Sequence, residues 1–142
     1  MSRITHWMDR AWYPKHAKNW DDQLFREAIL RNLKPEMTIL DLGAGAGIVD
    51  KMNFRQLTSR VCGVDLDPRV VDNPFLDEGR VSDAGEIPFP DESFDVVFSD
   101  NVLEHLEIPD QVFREVARVL KGGGYLCSKP RISGITCRRS PD

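Results

Sequence analysis

Asp41 stands one residue before the end of the apolar run Thr38-Ile39-Leu40-Asp41-Leu42, which is followed at once by Gly43-Ala44-Gly45-Ala46-Gly47. Gly43 and Gly45 can take positive φ and carry no Cβ, so a ligand can lie against the backbone at the mouth of a strand, beside the start of the next helix. Dinucleotide loops place glycines at the first, third and sixth positions, whereas here the sixth is Ile48 and the fifth is Gly47. A carboxylate inside the strand end would repel a pyrophosphate and attract an amino group. A ligand with a positive end therefore fits this loop better than a pyrophosphate does.

Two more acids follow at spacings that suit a nucleoside. Asp65 ends the run Val61-Cys62-Gly63-Val64, 22 residues beyond Gly43, where an acid can accept both ribose hydroxyls. Asp67 competes for that role, although Pro68 beside it favours a helix start. Asp83 with Ala84 suits an adenine, offering a carboxylate to the exocyclic amine and a small residue on which the ring can lie; a turn role for Asp83 ahead of Gly85 is the alternative. His105 is the one histidine near these strand ends and the candidate general base at neutral pH.

The elements that must position these groups can be read from the apolar pattern. Strands are expected at Thr38–Leu42, Val61–Val64, Arg80–Ser82, Phe94–Ser99 and Tyr125–Ser128, each but the last running into polar residues at its carboxyl end. A helix is expected from Asp21, with Phe25, Ala28, Ile29 and Leu33 on one stripe, ending at Pro35. A second helical pattern runs from Ile48 to Leu57. A third runs from Asp110 through Val112, Phe113, Val116, Val119 and Leu120, with Gly122-Gly123-Gly124 as its stop. Strands alternating with helices imply an α/β fold with a doubly wound, mostly parallel sheet and ligands at the carboxyl ends of its strands.

Length and composition bound the rest. The 142 residues suffice for one α/β domain, and the hydrophobic and charged fractions of 41% and 30% are those of a globular protein that folds in water. A net charge of -4 gives no general attraction for nucleic acid or anionic lipid. No apolar run approaches a membrane span and no secretory signal opens the chain, so a cytoplasmic location is expected. Cys62, Cys127 and Cys137 show no Cys-x-x-Cys spacing, so buried free thiols are expected, with neither a disulfide framework nor a metal site. The chain divides into an aromatic arm, residues 1–20 (Trp7, Trp12, Tyr13, Trp20), a core, 21–128, and an irregular tail, 129–142.

Six motifs in order then resemble those of class I S-adenosylmethionine-dependent methyltransferases of the UbiE-like group, type 11. They are Ile39–Gly47, Gly63-Val64-Asp65, Asp83–Phe89, Ser93–Val97 with Val102-Leu103-Glu104-His105-Leu106, and Leu120–Gly124. The resemblance implies a Rossmann-like core in which Asp41, Gly43, Ala44 and Gly45 hold the methionine end of S-adenosylmethionine and Asp65 the ribose. Asp83 with Ala84 would hold the adenine, Leu66 would pack on it, and Asn101 would line the pocket. It also implies that Glu104 and His105 wall the pocket and pack a helix, the competing reading of His105. The activity implied is methyl transfer to a small-molecule acceptor. A catalytically impaired cofactor-binding fragment is the alternative, and a nicotinamide-dependent oxidoreductase is a further one, disfavoured by Ile48 and Asp41.

Such enzymes continue past the fifth strand through a helix and an antiparallel hairpin. Here only Lys129–Asp142 remains, basic and without strand or helix period, so about five strands are expected, the usual hairpin lacking. Back-translated with suitable codons and read one nucleotide earlier, the tail gives Thr-Pro-Asn-Lys-Trp-His-Tyr-Met-Pro, and a Pro-Asn after the fifth strand is common in the family. The expectation is a frameshift near Ser128 in a longer methyltransferase, with a natural short variant or a fragment as the alternative. An unpaired fifth strand would then be open to self-association.

Overall fold

A computed structural model describes residues 20–100, 102–103, 106–129 and 134–142. The aromatic arm up to Asn19 lies outside them, as do Asn101, Glu104 and His105. In chain order the elements are α1 (Trp20–Leu30), β1 (Thr38–Leu42), β2 (Arg60–Asp65), β3 (Glu78–Val81), β4 (Phe94–Asp100), α2 (Pro109–Val119), β5 (Leu120–Lys129) and β6 (Thr136–Arg139). Short 3-10 turns stand at Asp50–Met52 and Pro68–Asp72.

The strand order is β3-β2-β1-β4-β5-β6, with the first five parallel and β6 antiparallel to β5. From β1 the chain moves outward through β2 and β3, then returns to place β4 on the other side of β1. That reversal opens a crevice between the carboxyl ends of β1 and β4, where doubly wound sheets take their ligands.

Alternation along the strands builds a core on each face. Ile39, Val61, Val96 and Phe98 meet Phe25 and Ile29 of α1, and Phe98 stacks edge-on against Phe25 and Phe54 at 6.3 and 5.2 Å. Leu40, Leu42, Cys62, Val64 and Val97 meet Val112, Val116 and Val119 of α2 on the other face. Central strands buried on both sides must be apolar at almost every position, and the runs in β1, β2 and β4 are.

Four expectations are corrected. The helical pattern from Ile48 to Leu57 yields only the Asp50–Met52 turn. Its buried side chains, Met52 and Phe54, stand two residues apart and cannot share a helix face, while Ile48 is 79% exposed. Arg26 of α1 instead donates to the Lys51 and Asn53 carbonyls at 2.7 and 2.8 Å, taking up groups that a helix would have paired. The glycine triplet does not end α2, because strand backbone begins at Leu120. Leu120 faces Phe94 and Tyr125 faces Val96, so Gly122–Gly124 bulge out of β5, and Gly123 has φ +77°.

The tail is the third correction. Thr136–Arg139 forms β6 on the outer edge of β5, so β5 is paired on both sides and is not the open edge expected for self-association. Strand pairing uses backbone groups that any residue supplies, and Ile135 and Cys137 alternate inward over the α1-side core. Cys127 and Cys137 are register partners and are joined by a disulfide, so two of the three expected free thiols are paired. Cys62 is free and buried, and burial pushes its thiol up to about 11.

Candidate active site

The glycine loop is shaped from three sides. Gly43 and Ala44 donate their N–H groups to the Val64 carbonyl at 2.8 and 3.1 Å, which bends the chain sharply off the end of β1. Gly43, Gly45 and Gly47 have φ of +84°, +58° and +77°, values that side chains disfavour. A Cβ on Gly43 would lie 2.3 Å from Cγ2 of Val102. Asn73, only 5% exposed, donates from Nδ2 to the carbonyls of Ala44 and Gly45 at 3.2 and 3.0 Å. Its Oδ1 takes the Phe75 N–H at 2.9 Å, so both ends of the amide are used.

Asp65, the last residue of β2, faces this loop. Its Oδ2 accepts the Gly45 N–H and its Oδ1 accepts the Asp67 N–H, both at 2.8 Å. Each oxygen keeps lone-pair capacity for a further donor. Asp67, the competing acid, is instead engaged by the N–H and guanidinium of Arg69 and caps the Pro68–Asp72 turn. Asp83 accepts the Gly85 N–H at 2.7 Å through Oδ1, so the turn role holds. The same residue also lines the cleft.

That cleft has a volume of about 740 Å³ and is lined by Gly43, Asp65, Leu66, Asp83 and Ala84 among the expected residues. Ala44 and Gly45 stand behind it through their ties to Asn73 and Asp65. Leu66 is 68% exposed, an apolar side chain held at a cleft wall. Asp41 is buried, 8% exposed, and is not among the residues that line the cleft. Burial, then the charges of Asp100 and Asp65, hold its carboxyl well above the ordinary aspartate range. Such a group gains from any cation brought against it. Asn101 and His105 lie outside the described residues.

Sequence reasoning missed three polar side chains here. Asn73 precedes Pro74, which reads as a turn and gives no sign of its reach to the glycine loop. Gln111 lines the cleft from α2 and donates to the Gly85 carbonyl at 2.9 Å. Lys129, its side chain 7% exposed, bridges Asp100 of β4 at 3.1 Å and Asp21 and Asp22 of α1. Burial works against the Lys129 ammonium, but the hydrogen bonds and charges of Asp22 and Asp100 outweigh it and raise its pKa. Burial raises Asp100 as well, with Lys129 pulling the other way.

An open parallel sheet with a glycine loop after β1 and acids ending β1, β2 and the segment after β3 defines a Rossmann-like cofactor-binding protein. Residues 40–128 match the family described as a methyltransferase domain, and the chain belongs to that family. It is 32% identical over 113 residues to phosphoethanolamine N-methyltransferase 1 of Arabidopsis thaliana, covering 70% of this chain and 23% of that protein. It is 32% identical to the ubiquinone/menaquinone biosynthesis C-methyltransferase UbiE of Laribacter hongkongensis, covering 66% and 43%. Among solved structures, phosphoethanolamine N-methyltransferase 2 of Haemonchus contortus in complex with S-adenosyl-L-methionine superposes with a TM-score of 0.64 at 27% identity. The match covers 78% of this chain and 28% of that one. The chain thus spans less than half the length of these proteins.

Proposed function

We propose that the chain is the S-adenosylmethionine-binding part of a methyltransferase acting on a small-molecule acceptor. The observation that carries this reading is the convergence of Gly43, Asp65 and Asp83 on one cleft. The residues suit the cofactor's parts. Asp41, whose carboxyl is raised by burial and by neighbouring acids and so gains from a cation, suits the amino group, and the loop of Gly43, Ala44 and Gly45 lets the methionine end approach the backbone. Asp65 has lone pairs free on both oxygens for two vicinal hydroxyls. Leu66 and Ala84 offer apolar faces to a purine, Asp83 an acceptor for its amine, and Asn101 completes the set of binding residues.

The cofactor, when bound, supplies a sulfonium methyl whose displacement releases a neutral thioether, so no acid is needed at the leaving group. What the chain contributes is orientation and exclusion of water, worth several orders of magnitude in rate when donor and acceptor are held in line. His105 is the base only if the acceptor must lose a proton. The cytoplasmic setting read from the sequence belongs to this proposal, as does the small-molecule nature of the acceptor. The alternative is a cofactor-binding module without turnover.

Calorimetric titration tests the proposal. S-adenosylmethionine should bind saturably at one site, and a nicotinamide dinucleotide should give no heat beyond dilution. A response to the dinucleotide alone would overturn it, and methyl-group transfer from labelled cofactor separates the enzyme from the silent module.

A further inference from the structure

Between β3 and β4, residues 82–93 form neither helix nor strand, yet they carry Asp83 and Ala84 on the cleft. What holds them is one face of α2. Gln111, Glu115 and Arg118 follow at steps of four and three, so they stack along the helix on a single stripe. Gln111 takes the Gly85 carbonyl. Glu115 accepts the Ile87 N–H at 2.8 Å through Oε2. Arg118 uses all five of its N–H donors: two on Glu115 at 2.8 and 2.9 Å, one each on the Ile87 and Phe89 carbonyls at 2.8 and 2.9 Å, and one on Asp91 at 2.9 Å.

This arrangement exceeds what an exposed ion pair does. Three side chains of one helix satisfy four backbone groups of an irregular segment, at Gly85, Ile87 and Phe89. The helix is itself fixed to the sheet by Val112, Val116 and Val119, and Val112 also lines the cleft. The stripe therefore refers the position of Asp83 and Ala84 to the rigid core rather than to their own loop. The bonds made by the Glu115–Arg118 pair are charge-assisted and fork-shaped, a geometry that a lysine cannot reproduce.

We propose that Gln111, Glu115 and Arg118 are positioning residues that lock the segment Asp83–Phe89 onto α2 and thereby set the affinity and base selectivity of the cleft for the purine end of the cofactor. This rests on the reading of the cleft under Proposed function.

The test uses the full chain and two ligands, S-adenosylhomocysteine and its inosyl counterpart, in which a carbonyl replaces the exocyclic amine. Wild type should prefer the adenosyl ligand. Arg118→Lys should weaken the adenosyl ligand about tenfold, the size of a charge-assisted hydrogen bond lost. It should weaken the inosyl ligand less, so that the preference shrinks. Gln111→Ala, which removes one bond to one carbonyl, should act in the same direction by about threefold and covers the case in which the arginine variant does not fold. Amide exchange should quicken at Gly85–Phe89 while β1, β2 and β4 keep wild-type protection. Arg114→Ala, on the outer face of α2, should change none of these. A folded Arg118→Lys or Gln111→Ala with an unchanged adenosyl-to-inosyl ratio overturns the proposal, as does exchange that quickens evenly across the sheet. Wild type that binds neither ligand overturns the reading of the cleft itself, and the proposal falls with it.

Discussion

The backbone N–H of Gly45 donates to Oδ2 of Asp65 at 2.8 Å, joining the glycine loop after β1 to the end of β2. One carboxylate thus serves the loop's shape and offers its remaining lone pairs to the cleft. Asp65→Asn keeps the size but loses the charge and one acceptor, and should weaken S-adenosylmethionine about tenfold. Asp65→Ala also releases Gly45 and should weaken it about 100-fold. Titration calorimetry on the two variants reads the difference. Equal losses would mean that the loop tie contributes nothing.

Asp41 gives a prediction in which stability and binding move oppositely. Its carboxyl is raised above the unfolded value by burial and by Asp100 and Asp65, so between the unfolded and folded pKa the native state holds more protons. Stability therefore falls as pH rises through that window, and the cost is fully present above it. Asp41→Asn removes the cost: the ligand-free melting temperature at pH 7.5 should rise, and the gap to wild type should close as the pH is lowered. Cofactor affinity should fall about 100-fold, because the amino group loses its buried partner. Thermal melts across pH and calorimetry check both halves.

Asn73 should matter through the loop rather than through the ligand. Asn73→Ala leaves the Ala44 and Gly45 carbonyls and the Phe75 N–H without their partner and should cost about 1–3 kcal/mol. Gly47→Ala should be comparably damaging, since its Cβ would stand 2.4 Å from Oδ1 of Asn73 at a φ of +77°. Urea melts measure both. A wild-type midpoint in Asn73→Ala would show that the brace is dispensable.

The Cys127–Cys137 link closes a loop of sequence separation 10 and pins β6 to β5. Reduction, or Cys137→Ser, should lower stability by about 2–3 kcal/mol and the melting temperature by about 5–10 °C. Cys62→Ser, which leaves the link in place, should keep the full difference between oxidised and reduced protein and add only the small cost of a buried hydroxyl. Thiol titration of the unfolded chain counts one free thiol if the link is formed and three if it is not.

By itself the sequence determined the five parallel strands, the two flanking helices and the acids at the strand ends. Those features are local: an apolar run long enough to be buried on both faces, a stripe at helical period, a glycine that only a sharp turn accommodates. It also determined the family, because Asp41, Asp65 and Asp83 fall at spacings that one crossover connection after another imposes. Tertiary structure alone decided what ties these pieces into a site. Asn73 reaches the glycine loop, Gln111 and Arg118 grip the segment after β3, and Lys129 gathers Asp21, Asp22 and Asp100 from two elements; each is a contact between residues far apart in the chain, which no periodicity records. The same reason explains the missed strand and disulfide. Thr136–Arg139 has no apolar period of its own and becomes a strand because the edge of β5 presents unpaired backbone groups, and only that pairing brings Cys137 opposite Cys127.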